Sequence, residues 1–282
     1  MSAKIIFSEE EKDHICDLYD KYRSTRRVAA EIDRSRSVVQ KILYERKVEL
    51  AGPAEHHKKP VDSEFFAQIT PASAYFLGLF VADGSIARSS AGSSVYFNLA
   101  LKKEDAYILE VLRDEIAPEH RLIDDRHMTK FTVGDSPLCL NVVQWGIKWR
   151  NKSLMLDECH SLFAQLRRAG HLSHFTRGAI DGDGSIFLGN GYNAGISLVG
   201  THAFINKIWG EINRELEMDH GSLIQDKRSK NLWEVRYTGR GLVQRVGEWM
   251  YADKGKYYLR RKYERFLGVV KSRGLLETPK SP

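Results

Sequence analysis

The chain has 282 residues, 28% of them charged, and a formal net charge of +6. That length holds two modest domains or one larger domain with an appendage, and the positive balance favours an acidic polymer as partner. Scattered Cys16, Cys139 and Cys159 exclude a disulfide framework and a cysteine-ligated zinc; the acidic N-terminus and the absence of a long apolar run exclude a signal peptide and a membrane span, so an intracellular, soluble protein is expected.

From Phe7 to about Tyr44 the apolar spacing predicts three helices. Ser8 and Glu11 form a capping-box pattern ahead of the first, which carries Ile15, Leu18, Tyr19 and Tyr22 on one face. A short second helix carries Val28, Ala29 and Ile32, Asp33-Arg34-Ser35 breaks it, and a third turns Val38, Val39, Ile42 and Leu43 inward. The string TRRVAAEIDRSRSVVQKIL resembles the helix-turn-helix of resolvase-like and homeodomain-like DNA-binding domains. That resemblance puts Arg36, Ser37, Gln40 and Lys41 on the outer face of a recognition helix, with Arg26, Arg27 and Arg46 meeting phosphates. The competing reading is a three-helix protein-interaction module with a solvated basic face. Residues 50–62, with two prolines and no period, read as a linker; its His56-His57 pair has no accompanying ligands and reads as solvated.

The remainder is two copies of one unit. Thr70 and Pro71 open a helix that runs to Ala82 and exits at Gly84. Strands are expected at Val95–Leu101, Arg121–Arg126 and Met128–Val133, with a helix over Glu104–Ile116 and another around Leu138–Gly146. The second copy gives a helix from about Ser173, a strand over Asn193–Val199, a helix over Thr201–Leu216, strands near Ser222–Gln225 and Leu232–Thr238, and a helix over Leu242–Met250. Trp145 matches Trp249 and Lys152 matches Lys256. This αββαββα order, given twice, predicts an α+β fold of antiparallel sheets with helices on one face. The predicted organisation is a helix-turn-helix domain at 1–49, a linker at 50–62, and repeats at 63–168 and 169–282.

Strand alternation separates Val95, Phe97, Leu99 and Leu101 from Tyr96, Asn98 and Ala100, so one sheet face packs and the other meets a partner. Arg88, Arg126, Lys130, Lys227, Arg228, Lys230, Arg236 and Arg240 lie on or beside the strands, which makes the open faces a basic saddle. Each unit also begins alike: YFLGLFVADGSI over Tyr75–Ile86 and FTRGAIDGDGSI over Phe175–Ile186. Small residues one turn apart, Gly78 with Ala82 and Gly178 with Gly182, let two such helices pack closely, bringing Asp83 and Asp183 to one point. Two close carboxylates at helix C-termini repel, and a divalent cation relieves them.

With FLGLFVADG and TRGAIDGDG as its two motifs, the chain resembles a single-chain LAGLIDADG homing endonuclease from about Pro71 to the C-terminal helices. The resemblance implies a monomer that cuts both strands of a long, asymmetric double-stranded DNA target. It implies Mg²⁺, or Mn²⁺ or Ca²⁺ in the same site, held by Asp83 and Asp183 and the carbonyls of Ala82 and Gly182. Lys152 and Lys256 become candidates for an ancillary basic residue, and Asn98 for ordering a water, with Asn193 or Gly195 as its counterpart. Val81 opposite Asp181, and Arg177 in place of an apolar residue, depart from the motif without touching the paired acids. A DNA-binding regulator or RNA-splicing maturase that does not cut, a purely structural module, and an intein-borne nuclease are the alternatives. The chain ends show no splicing residues, so a free-standing enzyme is expected.

Overall fold

The computed structural model describes residues 7–50, 59–89, 94–147, 160–189, 193–226 and 231–274. The chain divides into two compact units, Met1–Lys59 and Pro60–Pro282. Helices α1 (Glu9–Tyr22), α2 (Thr25–Glu31) and α3 (Arg36–Glu45) build the first. Ser8 and Glu11 close the capping box reciprocally, and Ser24 caps α2. Ile15, Leu18, Tyr19, Val28, Ala29, Val39, Ile42 and Leu43 form a core of this unit's own. Arg46 departs from expectation: its guanidinium pairs with Glu9 at 2.9 Å and Asp13 at 2.7 Å, so it staples the end of α3 to α1 and is not held out for phosphate.

In the second unit the first repeat runs α4 (Pro71–Asp83), β1 (Gly84–Arg88), β2 (Val95–Lys102), a 3₁₀ turn, α5 (Ala106–Ile116), β3 (Ile123–Asp124), β4 (Met128–Gly134) and α6 (Ser136–Val143). After α7 (His160–Arg168) the second repeat follows: α8 (Leu172–Asp183), β5 (Gly184–Leu188), β6 (Ala194–Gly200), α9 (His202–Glu215), β7 (Ser222–Gln225), β8 (Trp233–Thr238), α10 (Arg240–Tyr251) and α11 (Arg260–Gly274). Each repeat forms a four-stranded antiparallel sheet, ordered β1-β2-β4-β3 and β5-β6-β8-β7. The registers correspond: Gly84, Ser85 and Ile86 face Leu99, Asn98 and Phe97, as Gly184, Ser185 and Ile186 face Leu198, Ser197 and Ile196. No helix among the described residues is long and apolar enough to cross a membrane.

The core lies between the helices and one face of each sheet. Phe97, Leu99, Phe131 and Val133 are fully buried in the first repeat, and Ile186, Ile196, Leu198, Val235 and Tyr237 nearly so in the second. Phe66, Phe97 and Phe80 stack in series, with centroids 5.6 and 4.7 Å apart. Two expectations are corrected, and strands β1 and β5 are added to those expected. The strand over Arg121–Arg126 shrinks to two residues, because Asp125 takes the Arg126 N–H on its own carboxylate at 2.6 Å and turns the chain. β1 and β5 start directly at the motif helix ends: the Gly84 N–H still donates to Phe80 while Gly84 already pairs with Leu99. The helix expected to Gly146 stops at Val143, and the Trp145 indole leaves it to donate to the Phe66 carbonyl at 2.8 Å.

Candidate active site

α4 is apolar all round, and every residue from Ser73 to Val81 is buried, because it packs on the sheet and on α8 together. A Cβ built on Gly78 would lie 2.1 Å from the Phe175 carbonyl oxygen, and one on Gly178 would lie 2.0 Å from that of Tyr75. Each glycine thus receives the backbone of the other helix three residues before its counterpart. That reciprocity is the signature of a pseudo-two-fold axis, and it brings main chain against main chain. One turn further, a Cβ on Gly182 would meet Ala82 Cβ at 2.1 Å and Asp83 Oδ2 at 3.0 Å. The Asp83 carboxylate therefore lies over Gly182, the residue preceding Asp183. Both acids are exposed, whereas Val81 and Asp181, two residues earlier, are buried.

Lys262, on the first turn of α11, is the lysine delivered to this point. Only 3% exposed, its ammonium donates to the carbonyls of Ile180 (2.5 Å), Asp181 (2.6 Å) and Gly184 (2.8 Å), with Gly182 at 3.4 Å. It caps the end of α8, where the helix dipole is negative. Burial pulls its pKa down to about 8, against the attraction of Asp181 and Asp83. Sequence matching selects Lys256 instead. The structure holds Lys256 against Glu115 of α5 at 2.6 Å, over half exposed. A signal for Lys262 does exist in the sequence: Leu259, Lys262, Phe266 and Val269, all buried, recur at spacings of three, four and three, which puts this lysine on the apolar stripe of α11.

Arg177 and Asp181 also gain a purpose that the motif departures did not suggest. Arg177, fully buried, donates to the carbonyls of Tyr257 (2.6 Å) and Met250 (2.5 Å) and lies 2.7 Å from His174 Nδ1. Burial, with Arg177 adjacent, drops the His174 pKa to about 4, so its ring is neutral and accepts. Asp181 accepts from the Tyr75 hydroxyl at 2.9 Å and the Leu259 N–H at 2.8 Å. Burial raises it to about 6, while Lys262 pulls the other way. Together they bind the segment between α10 and α11 to the motif helix.

On the sheet faces turned away from the helices, one rung in each repeat answers the other, Ser85–Asn98–Thr132 and Ser185–Ser197–Arg236, although Ser197 itself is buried. The counterpart of Asn98 is therefore Ser197, not Asn193 or Gly195. Asn98 accepts from Thr132 at 2.9 Å, whereas Arg236 reaches along its own strand to Glu234 at 2.6 Å. Lys130 is exposed on the open face of β4, Arg88 is exposed at the end of β1, Arg126 is exposed in the bend before β4, and Arg240 opens α10. In the first unit Arg36, Ser37 and Lys41 are exposed on α3, Gln40 is half-buried, and Arg36 donates to Thr25 at 3.0 Å. Lys152, Lys227, Arg228 and Lys230, like Cys159 and His56-His57, lie outside the described residues.

Among the described residues no group of three His, Cys, Asp or Glu side chains could hold a metal. What the seam offers is two carboxylates and the backbone carbonyls beside them. That hard-oxygen set, incomplete on its own, fits Mg²⁺, which keeps waters and takes phosphate oxygens rather than an all-protein cage. The Gly182 carbonyl is the loosest of the four Lys262 contacts and, with two lone pairs, retains capacity for an ion.

No protein-family profile matches the chain, and no curated protein matches it significantly. Solved structures do. I-SmaMI bound to uncleaved DNA target in the presence of calcium ions is similar over 74% of this chain and 92% of that one, with a TM-score of 0.51 and 12% identity. I-SmaMI, described as a LAGLIDADG homing endonuclease, bound to cleaved DNA aligns over 76% of this chain and 93% of its own, with a TM-score of 0.50 and 13% identity. The likeness is one of fold: two α+β repeats, each with a four-stranded antiparallel sheet.

Proposed function

We propose that the chain is a site-specific DNA endonuclease of the homing type, making metal-dependent double-strand breaks at a long, asymmetric target. The observation that carries this reading is the seam: backbone contact at Gly78 and Gly178 leaves the Asp83 carboxylate over Gly182, next to Asp183, with both acids exposed at the helix ends. A purely structural helix pair gains nothing from turning two like charges outward at one point. The solved DNA complexes of the same fold support the reading.

In this reading the open sheet faces straddle the duplex, and the two unlike rungs read different half-sites, as suits a monomer on a non-palindromic target. Asp83 and Asp183, with the carbonyls of Ala82 and Gly182, would hold Mg²⁺ or a related divalent cation. Such an ion, when bound, lowers the pKa of its water and offsets charge on the leaving oxygen. Lys262 fixes the α8 end in one geometry and places a cation near the developing charge. Offered a library of random duplexes with Mg²⁺, the protein is expected to cut both strands of a small set of long sequences and to stop when the ion is chelated. Duplexes retained but never cut would select the non-cutting regulator instead.

The first unit is a further DNA-binding element in this reading, with Arg36, Ser37, Gln40 and Lys41 turned to the major groove. Deleting residues 1–50 is expected to weaken binding while some cutting persists. Its salt dependence should flatten by about 0.9 in slope for each phosphate that the shortened chain no longer neutralises. An unchanged slope would make this unit an interaction module for another protein.

A further inference from the structure

The segment joining α10 to α11 is bound to both repeats at once. Toward the first repeat, Lys256 and the Tyr257 hydroxyl both engage Glu115, at 2.6 and 3.0 Å. The Tyr107 hydroxyl donates to the Tyr258 carbonyl at 3.2 Å and accepts the Arg260 N–H at 2.5 Å, with the Arg260 guanidinium 4.3 Å from its ring. Arg261 grips Asp105, which is 2% exposed, through Nε at 2.9 and 3.2 Å and Nη2 at 2.8 Å. Toward the second repeat, Leu259 donates to Asp181, and Lys262 takes the carbonyls that end α8.

Arg261 and Lys262 are neighbours on the first turn of a helix, where successive side chains differ in direction by about 100°. Fixing where one points fixes the other. The Asp105 carboxylate makes no cap hydrogen bond to α5, so its charge is given over to Arg261. A buried carboxylate in two-pronged contact with a guanidinium is a stiff joint, because the carboxylate cannot be left unpaired there, while Arg261, about a third exposed, also lies 3.7 Å from Glu104.

We infer that Asp105 and Arg261 are positioning residues: through this pair the first repeat sets the rotation of α11 that places Lys262 at the end of α8, beside the paired acids. The reaction centre is then completed across the repeat boundary. The consequence for cutting rests on the nuclease reading above; the geometric claim does not.

The test combines lysine accessibility with kinetics on the full chain. Acylation followed by peptide mass spectrometry is expected to find Lys262 protected and exposed Lys271 reactive. Arg261→Gln should raise Lys262 reactivity severalfold with Lys271 unchanged, and Arg261→Lys should largely restore protection. Cutting at saturating DNA should fall roughly tenfold or more in Arg261→Gln at unchanged affinity, since small misplacements carry rate penalties of that order. Arg261→Gln combined with Lys262→Met should be no slower than Lys262→Met alone. Should Arg261→Gln unfold, Asp105→Asn/Arg261→Gln leaves no buried charge unpaired and is expected to behave as described. Protection of Lys262 that survives these changes, or rate losses that multiply, overturns the inference. A wild-type chain that cuts nothing overturns the nuclease reading, and the acylation arm still decides this one.

Discussion

Asp83→Asn and Asp183→Asn should each abolish DNA cutting while leaving DNA affinity intact. A bound divalent ion contributes several kcal/mol of charge stabilisation, so losing a carboxylate ligand should slow cutting by roughly a thousandfold or more. Two features keep this result from being confused with misfolding. Both acids are exposed, so an amide of equal size disturbs no packing. Both end a helix, where a negative charge opposes the dipole, and Asp83 in turn attracts Lys262, so the two effects offset and neutralising either acid should move Tm little. Affinity should hold or improve, because in the nuclease reading each variant removes a negative charge that would face phosphate. A variant that cuts at the wild-type rate would remove the acids from the chemistry. One that cuts poorly and also melts early would make them structural.

The second large effect concerns the seam itself. Gly178→Ala puts a methyl 2.0 Å from a carbonyl oxygen that has no freedom to move, and Gly78→Ala does the same at 2.1 Å. The helices must separate, which unpacks two motif helices buried between the sheets. A loss exceeding about 4 kcal/mol is expected, at the extreme of single-substitution effects. Gly210 in α9 provides the control, since nothing lies within 4 Å of a Cβ built there. Gly210→Ala should stabilise by about 0.4–1 kcal/mol through helix propensity and a less flexible unfolded chain. Urea midpoints of the three variants decide the matter; similar midpoints for all would mean the helices are not in backbone contact.

Much of this arrangement is legible before any coordinates. The paired motifs, the small residues one turn apart and the strict alternation of Val95–Leu101 are local patterns, and local patterns survive in sequence. The helix exit at Gly84 is legible, but strand β1 is not, because it begins on that same residue with no loop between to mark the change. Lys262 escapes it for a different reason. Carrying the register from Trp145 and Trp249 assumes equal connections after them, and Lys262 reaches α8 only through hydrogen bonds to residues at least 78 positions away in the chain. Arg177 and Asp181 read as flaws in a motif because their partners, Met250 at the end of α10 and Tyr257 and Leu259 in the segment after it, are brought to the motif helix by docking that no local pattern encodes.

The reciprocal contact at Gly78 and Gly178 is made by peptide groups, and peptide groups are the same whatever side chains evolve elsewhere. A hinge-pin of this kind imposes no chemistry on the strands it joins. Asn98 with Thr132 on one wing and Ser197 with Arg236 on the other differ in kind without loosening it. Chimeras that graft one wing onto a foreign partner should therefore assemble where both glycines are kept together with the side-chain contacts between the repeats, such as Asp105–Arg261, Glu115–Lys256 and Tyr75–Asp181.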